Sequence, residues 1–206
     1  IVEEGENIQI AGSEFRTTFN KKAGSITSLF YNGKEMIHDK NGFTFNWYRS
    51  CNNDGRKYLK TTIDIQDCTT KQQADNLIIT VNAVATLAGE KNASYPYEVV
   101  YEVYPCGKID VKANFTLKED AYKVPRLGLT ASLSKNIEDV TYYGRGPWEN
   151  YADRKASAFL GIYKNTVTGF EEEYVRSQSM GNREDVRWVK LTDKGGNGLL
   201  IQANKY

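Results

Sequence analysis

The stretch from Tyr97 to Leu117, YEVVYEVYPCGKIDVKANFTL, decides the fold class of this chain. Before its turn at Pro105–Lys108, apolar side chains stand at every second position: Tyr97, Val99, Tyr101 and Val103. After the turn the same period resumes: Ile109, Val111, Ala113, Phe115 and Leu117. A period of two places alternate side chains on opposite faces of a strand. The stretch therefore predicts a long antiparallel hairpin with one buried face and one wet face.

Further strands are predicted where similar patterns recur: Phe15–Phe19, Ile26–Tyr31, Leu77–Leu87, Leu127–Leu133, Val140–Tyr143, Val186–Leu191 and Leu199–Ala203. Asn32-Gly33 predicts a type I′ hairpin turn, because both residue types accept a positive φ. No segment keeps a sustained helical period, and Trp148–Ala158 is expected to hold one helical turn at most. Strands without intervening helices predict antiparallel sheets packed as a sandwich. With no linker or internal repeat, we interpret residues 1–206 as a single β-sandwich domain.

The composition excludes several classes of function. The 27 basic and 26 acidic residues give a formal net charge of +1. This balance argues against a nucleic-acid or membrane-surface partner, since both favour strongly positive proteins. A single histidine, His38, argues against a zinc site or a histidine-dependent triad. The three cysteines are Cys51, Cys68 and Cys106, and they show no C-x-x-C spacing. We therefore expect three buried thiols, and the alternative is one disulfide with a spare thiol.

Three segments carry clustered polar and aromatic residues that strand formation does not explain: Phe45–Gly55, Tyr142–Arg154 and Tyr174–Trp188. Aromatic faces and planar amide, carboxylate and guanidinium groups are what a saccharide site uses. The alternative is that the same groups hold long loops in place through buried hydrogen bonds. Composition alone leaves both interpretations open and favours the structural one.

The carboxylates of these segments are poor candidates for hydrolytic chemistry. Glycoside hydrolysis needs two carboxyl groups across the scissile bond, and one of them must have a raised pKa. Glu149, Asp153 and Asp54 each have Asn or Arg close by in sequence. A neighbouring arginine lowers a carboxyl pKa. We therefore expect hydrogen-bonding anchors here and no catalytic residue.

The second segment resembles the G-x-G-P-x-E-N-Y-x-D-R signature of the terminal β-sandwich domain of large β-galactosidases of glycoside hydrolase family 2. It stands here without a gap from Gly144 to Arg154. The first segment is similar to the family's R-A-P-x-D-N-D-x-G loop through Arg49, Asn53 and Asp54. The third is similar to Y-V-x-P-Q-E-x-G-x-R-x-D-x-R-W, with Ser177 and Ser179 in place of the family's Pro and Glu. Pro125–Leu129 also resembles a strand of the family.

This resemblance implies an antiparallel supersandwich similar to the galactose-mutarotase fold, without its last strands. It implies that the catalytic glutamates belong to a separate (β/α)₈ barrel in the same polypeptide. It also implies no cofactor in this piece, although parent enzymes of the family often use Mg or Na at sites in other domains. Because the chain starts at Ile1 and stops at Tyr206 after a strand-like run, we interpret it as a piece of something longer. The compartment stays open between cytoplasm and periplasm.

The prediction is an accessory domain of a β-galactosidase that packs on the catalytic barrel, helps to shape the site for a β-galactoside or related saccharide, and hydrolyses nothing alone. Two alternatives stay open: a free-standing carbohydrate-binding module, and a mutarotase- or epimerase-like enzyme. No nucleic-acid or membrane partner and no metal site are expected. The residues predicted to bind carbohydrate or to form the interface are Arg49, Asn53, Asp54, Arg145, Trp148, Glu149, Asn150, Tyr151, Asp153, Arg154, Arg183, Arg187 and Trp188.

Overall fold

The computed structural model describes residues 1–49, 60–88, 93–118, 124–176 and 178–204. These residues form two compact units, the first reaching Leu133 and the second starting at Ser134. The strands of the first unit are β1 (Val2–Glu4), β2 (Asn7–Ala11), β3 (Phe15–Asn20), β4 (Ser25–Tyr31), β5 (Lys34–Glu35), β6 (Thr44–Asn46), β7 (Thr61–Gln73), β8 (Asn76–Leu87), β9 (Ser94–Val103), β10 (Ile109–Phe115) and β11 (Gly128–Thr130). All their pairings are antiparallel.

Three sheets build the first unit. One runs β1-β2-β3-β4-β5, a second runs β10-β9-β8-β7, and a third pairs β11 with β6. The turn between β4 and β5 has positive φ at both Asn32 and Gly33, as a type I′ turn requires. Tyr31 pairs with Lys34 across it, so the predicted two-residue hairpin is confirmed.

The core of the first unit lies between the two larger sheets. The side chains of β9 at Tyr97, Val99, Tyr101 and Val103 are all buried, as their spacing predicts. Tyr101 meets Phe19 of β3 edge-on, with ring centroids 5.1 Å apart. Phe45 of the third sheet lies 5.4 Å from the Tyr97 ring. The sheets are therefore joined by aromatic contacts, which stabilise the fold by more than the burial of their apolar area alone.

The second unit is one antiparallel sheet in the order β13-β12-β14-β15. Its strands are β12 (Asp139–Gly146), β13 (Phe159–Thr166), β14 (Trp188–Thr192) and β15 (Gly198–Gln202). A 3-10 turn at Thr168–Phe170 is the only helical segment within the described ranges. Val140 and Tyr142 of β12 are its buried strand side chains, and the last hairpin pairs Leu191 with Leu199 as predicted.

The all-β, antiparallel fold class is confirmed, while the mutarotase-like supersandwich and the single domain over residues 1–206 stay predictions. Two details differ from expectation. Leu117 is 57% exposed, because β10 ends at Phe115 and the alternation stops with the strand. Cys68 is a half-buried free thiol and Cys106 an exposed one, so burial was wrong for Cys106, which lies in the turn before β10. Cys51 lies outside the described residues.

Over the part of the chain that the structure covers, no helix has the length and apolar character needed to cross a bilayer.

Candidate functional site

The site is built on an elbow, Gly144–Arg154, that continues β12 beyond the sheet. Two glycines let neighbouring groups approach its first residues. A Cβ on Gly146 would lie 2.7 Å from the Tyr163 ring and against the Tyr142 hydroxyl. A Cβ on Gly144 would lie 2.9 Å from Val186. Both positions therefore exclude any larger residue unless the packing shifts.

Glu149 is the centre of the elbow, and its side chain is only 3% exposed. Its Oε1 atom accepts hydrogen bonds from the Tyr174 hydroxyl and from Arg154 Nη2, the latter at 2.8 Å. Its Oε2 atom accepts from the Gly181 backbone N–H at 2.8 Å. A buried carboxylate is tolerated when it is paired and hydrogen-bonded in this way. Glu149 thus ties the elbow to the return segment, Tyr174–Trp188, of which Ser177 lies outside the described residues.

The same contacts set the ionisation of Glu149. Burial acts to raise its pKa, but the hydrogen bonds from Tyr174, Gly181 and Arg154, with the charge of Arg154, outweigh burial and lower the pKa. The carboxylate in turn raises the pKa of the Tyr174 hydroxyl. Glu149 is therefore held as an anion, in line with the sequence-based expectation of an anchor.

Asn150 is fully buried and uses both ends of its amide. Its Nδ2 donates to the carbonyls of Arg145 at 3.1 Å and Trp148 at 2.9 Å. Its Oδ1 accepts from the Glu184 N–H at 2.9 Å. Its own backbone exchanges two hydrogen bonds with Asn182, at 3.0 and 2.7 Å. Asn150 therefore closes the turn and also joins the elbow to the return segment.

Charged side chains add further contacts between the elbow region and the return segment. Arg145 donates through Nε to Asp185 and through Nη1 to the Ala158 carbonyl. Lys155 lies 3.3 Å from Asp185 and 3.4 Å from Glu184. The hydrogen bond from Arg145, together with Lys155, lowers the pKa of Asp185.

Arg183 of the return segment contacts both the elbow and the sheet. It donates to the Pro147 carbonyl at 2.9 Å and to the Tyr142 hydroxyl at 2.9 Å. Its guanidinium lies 4.6 Å from the Phe170 ring centroid, within the range of a cation–π contact. Arg183 therefore fixes the backbone just before Trp148.

Comparison with known proteins shows which family the chain belongs to. The family model described as beta galactosidase small chain matches residues 11–206. The chain belongs to the β-galactosidase small-chain family. The resemblance of its signature segment is thereby confirmed.

Three β-galactosidases illustrate how far this small-chain relationship extends. That of Lactobacillus delbrueckii subsp. bulgaricus is 33% identical over 99% of this chain and 21% of its own length. That of Halalkalibacterium halodurans is 31% identical over 98% and 21%. That of Priestia megaterium is 29% identical over 96% and 20%. The chain thus spans about a fifth of the length of these relatives.

Within this small-chain fold, the remaining predicted residues of the elbow differ in exposure. Trp148 is 67% exposed, although carbonyls on both sides of its Cα accept hydrogen bonds. Tyr151 donates to the Ser179 carbonyl at 3.1 Å. Asp153 is exposed, and its side chain has no hydrogen bond or ion pair with the rest of the described chain. The expectation of hydrogen-bonding anchors therefore holds for Glu149 but was wrong for Asp153, whose side chain faces outward.

The other predicted residues lie elsewhere. Arg187 is half-buried, with its guanidinium 4.9 Å from the Tyr143 ring centroid. Trp188 begins β14 opposite Tyr143 and is also half-buried, so Trp148 offers the more open indole. Arg49 is half-buried at the end of the described part that follows β6. Asn53 and Asp54 lie outside the described residues, so their role stays a prediction.

The structure adds residues that the list of predicted site residues lacked: Tyr174, Gly181, Asn182, Glu184 and Asp185. They supply most of the partners of the elbow. Their clustering between two strands was the available signal, but their hydrogen bonds to the elbow join residues 25 to 40 positions apart. Among the residues described, no group of three His, Cys, Asp or Glu side chains is arranged to hold a metal ion.

Replacing Arg154 with alanine is expected to lower the free energy of unfolding by about 1–2 kcal/mol. The loss is moderate because the Arg154 side chain is 53% exposed, and Glu149 keeps Tyr174 and Gly181 as donors. Urea denaturation followed by tryptophan fluorescence measures it. Arg154→Lys, which keeps the charge, should lose less. Equal losses for the two variants would contradict a specific guanidinium–carboxylate contact.

Proposed function

We propose that this chain is an accessory module of a β-galactosidase of glycoside hydrolase family 2. It packs against the catalytic (β/α)₈ barrel, helps to shape the site for the β-galactoside, and does not hydrolyse a sugar alone. Family membership supports this proposal, as does the share of about a fifth that the chain covers in proteins named β-galactosidase.

The observation that carries the proposal is the state of Glu149. A glycosidase general acid needs a raised pKa and a proton to give to the leaving group. Glu149 has a lowered pKa, and both its oxygens accept hydrogen bonds from the protein. The Glu149 carboxylate is therefore suited to holding structure and unsuited to proton transfer.

The same reasoning argues against a mutarotase- or epimerase-like enzyme. Such chemistry needs a free general acid and a free general base on one surface. In the second unit, Glu184 and Asp185 contact Lys155, and Asp185 also binds Arg145. These carboxylates are engaged in ion pairs that hold the return segment.

Trp148 is the side chain through which the elbow would contact a partner domain or a ligand. Exposed tryptophans on ordered backbone are frequent centres of binding energy, because little entropy is lost when they are covered. The donors Asn150 and Arg183 fix the carbonyls on either side of its Cα. We infer that Trp148 contacts the catalytic domain or the bound sugar at their common boundary.

The test is a hydrolysis assay with a chromogenic β-galactoside on the intact polypeptide that carries this sequence. We expect no turnover by the 206-residue chain alone, and loss of turnover when the chain is deleted from the intact enzyme. Trp148→Ala should lower kcat/KM about tenfold, which corresponds to losing one buried aromatic contact in the transition state.

Val175→Ala is the matched control, because Val175 is an exposed apolar residue of the return segment with no packing role. It should leave kcat/KM unchanged. Turnover by the isolated chain, or full activity of the enzyme without it, would overturn the proposal.

A further inference from the structure

The outer face of the first unit carries a groove of about 380 Å³. It lies on the second sheet, on the side opposite the aromatic core. A row of amide and carboxylate side chains crosses it, with one member from each of four adjacent strands: Gln66, Asn82, Glu98 and Asn114. Neighbouring strands are about 4.8 Å apart, so the row spans about 15 Å.

Strand register brings these groups together. Glu98 of β9 lies directly opposite Asn82 of β8 and Asn114 of β10. Gln66 lies at the irregularity between Ile65 and Asp67, where β7 gains a residue relative to β8. Bulges bend and twist a strand and often lie beside functional sites. Gln66, the extra residue of this bulge, is the member of the row that β7 contributes.

The row keeps hydrogen-bonding capacity that no protein group uses. Asn114 Nδ2 donates to Glu98 Oε1 at 2.9 Å, and Gln66 donates to Asp64 at 2.6 Å. Within the described parts of the chain, neither the Asn82 amide nor Glu98 Oε2 makes a hydrogen bond. Both ends of the Asn82 amide, a carboxylate oxygen and two amide oxygens are therefore open to a ligand.

The elbow presents the opposite case. Its carboxylate and amide groups at Glu149 and Asn150 are buried and fully engaged. A ligand could reach them only by breaking those bonds. The polar groups of the groove can bind hydroxyl groups without breaking hydrogen bonds within the protein. The half-buried Val84 and Pro96 lie opposite each other in the groove and add an apolar strip.

We propose that this groove binds a neutral saccharide. The Asn82 amide supplies a donor, and the amide and carboxylate oxygens beside it supply acceptors for adjacent sugar hydroxyls, while Val84 and Pro96 accept the C–H side of a ring. The site lies in a different unit from the elbow and goes beyond the accessory function proposed above. It neither requires that function nor is required by it.

The test is calorimetric titration of the chain with lactose and, separately, with a short β-linked galactan. We expect saturable binding in the millimolar range. Asn82→Ala should weaken it about tenfold, as expected when two or three hydrogen bonds to a ligand are lost.

Asn76→Ala is the matched control. Asn76 lies on the same strand and face, six residues from Asn82 and about 20 Å away, and donates to Glu102 as Asn114 does to Glu98. It should bind saccharide like the unchanged chain. Amide chemical-shift mapping locates the bound sugar independently of any variant.

Absence of binding by either saccharide, equal weakening by the two variants, or shift changes confined to the elbow would each overturn the proposal. Hydrolysis by the intact enzyme is a separate measurement, so failure here leaves the accessory function as it stands.

Discussion

Replacing Asn150 with alanine is expected to lower the free energy of unfolding by about 3–4 kcal/mol, the largest effect we predict for the site. The variant leaves the Glu184 N–H and the carbonyls of Arg145 and Trp148 without their partner. These groups are enclosed around a residue with no exposed surface, so water does not readily replace the amide. A small cavity adds to the cost.

Urea denaturation followed by tryptophan fluorescence measures this loss, because Trp148 and Trp188 both lie in the second unit. Asp153→Ala is the control from the same elbow. Asp153 is exposed, so its replacement should change the stability by less than about 0.5 kcal/mol. A loss below about 1 kcal/mol for Asn150→Ala would mean that the amide does not hold the turn.

Replacing Glu149 with alanine should cost about 2–3 kcal/mol at neutral pH, because the Gly181 N–H and the Tyr174 hydroxyl lose their acceptor. The effect should depend on pH. The pKa of Glu149 is lowered in the folded chain. Its stabilisation is therefore complete above the unfolded pKa of about 4.3 and is lost as the pH falls through the folded value.

The difference in stability between the unchanged chain and Glu149→Ala should accordingly narrow below about pH 4. Other carboxylates titrate in both proteins, so they largely cancel in this difference. Glu173→Ala is the control, since Glu173 is exposed, and it should show no such narrowing. A difference that widens on acidification would mean that Glu149 is protonated in the fold, which would revive a general-acid role.

Two consequences for function follow from the site. The signature from Gly144 to Arg154 is a structural element, and most of its polar groups form hydrogen bonds within the protein. What it offers to a partner is the exposed Trp148, held on backbone that hydrogen bonds fix from both sides. A row of groups with free hydrogen-bonding capacity lines the groove on the second sheet of the first unit.

Several strands could be predicted because one face is buried and the other wet. In β8 and β9 every second side chain is buried, and the spacing of apolar residues in the sequence predicts this alternation. Two strands at sheet edges, β7 and β13, could not be predicted in this way, although the edge strands β10 and β15 could. β7 is exposed or half-exposed along its whole length, and β13 leaves Phe159, Leu160 and Ile162 exposed, so neither shows an alternating pattern.

The sequence by itself determined the all-β class, the Asn32-Gly33 turn and the family, because each depends on short-range patterns of residue type. Only the tertiary structure decided which groups satisfy Glu149 and Asn150. Three of their partners, Tyr174, Gly181 and Glu184, stand 25 to 34 residues further along the chain, and the pairing of β12 with β14 brings them close. Hydrogen bonds act over about 3 Å, so side chains distant in sequence become partners only through the packing that brings them together.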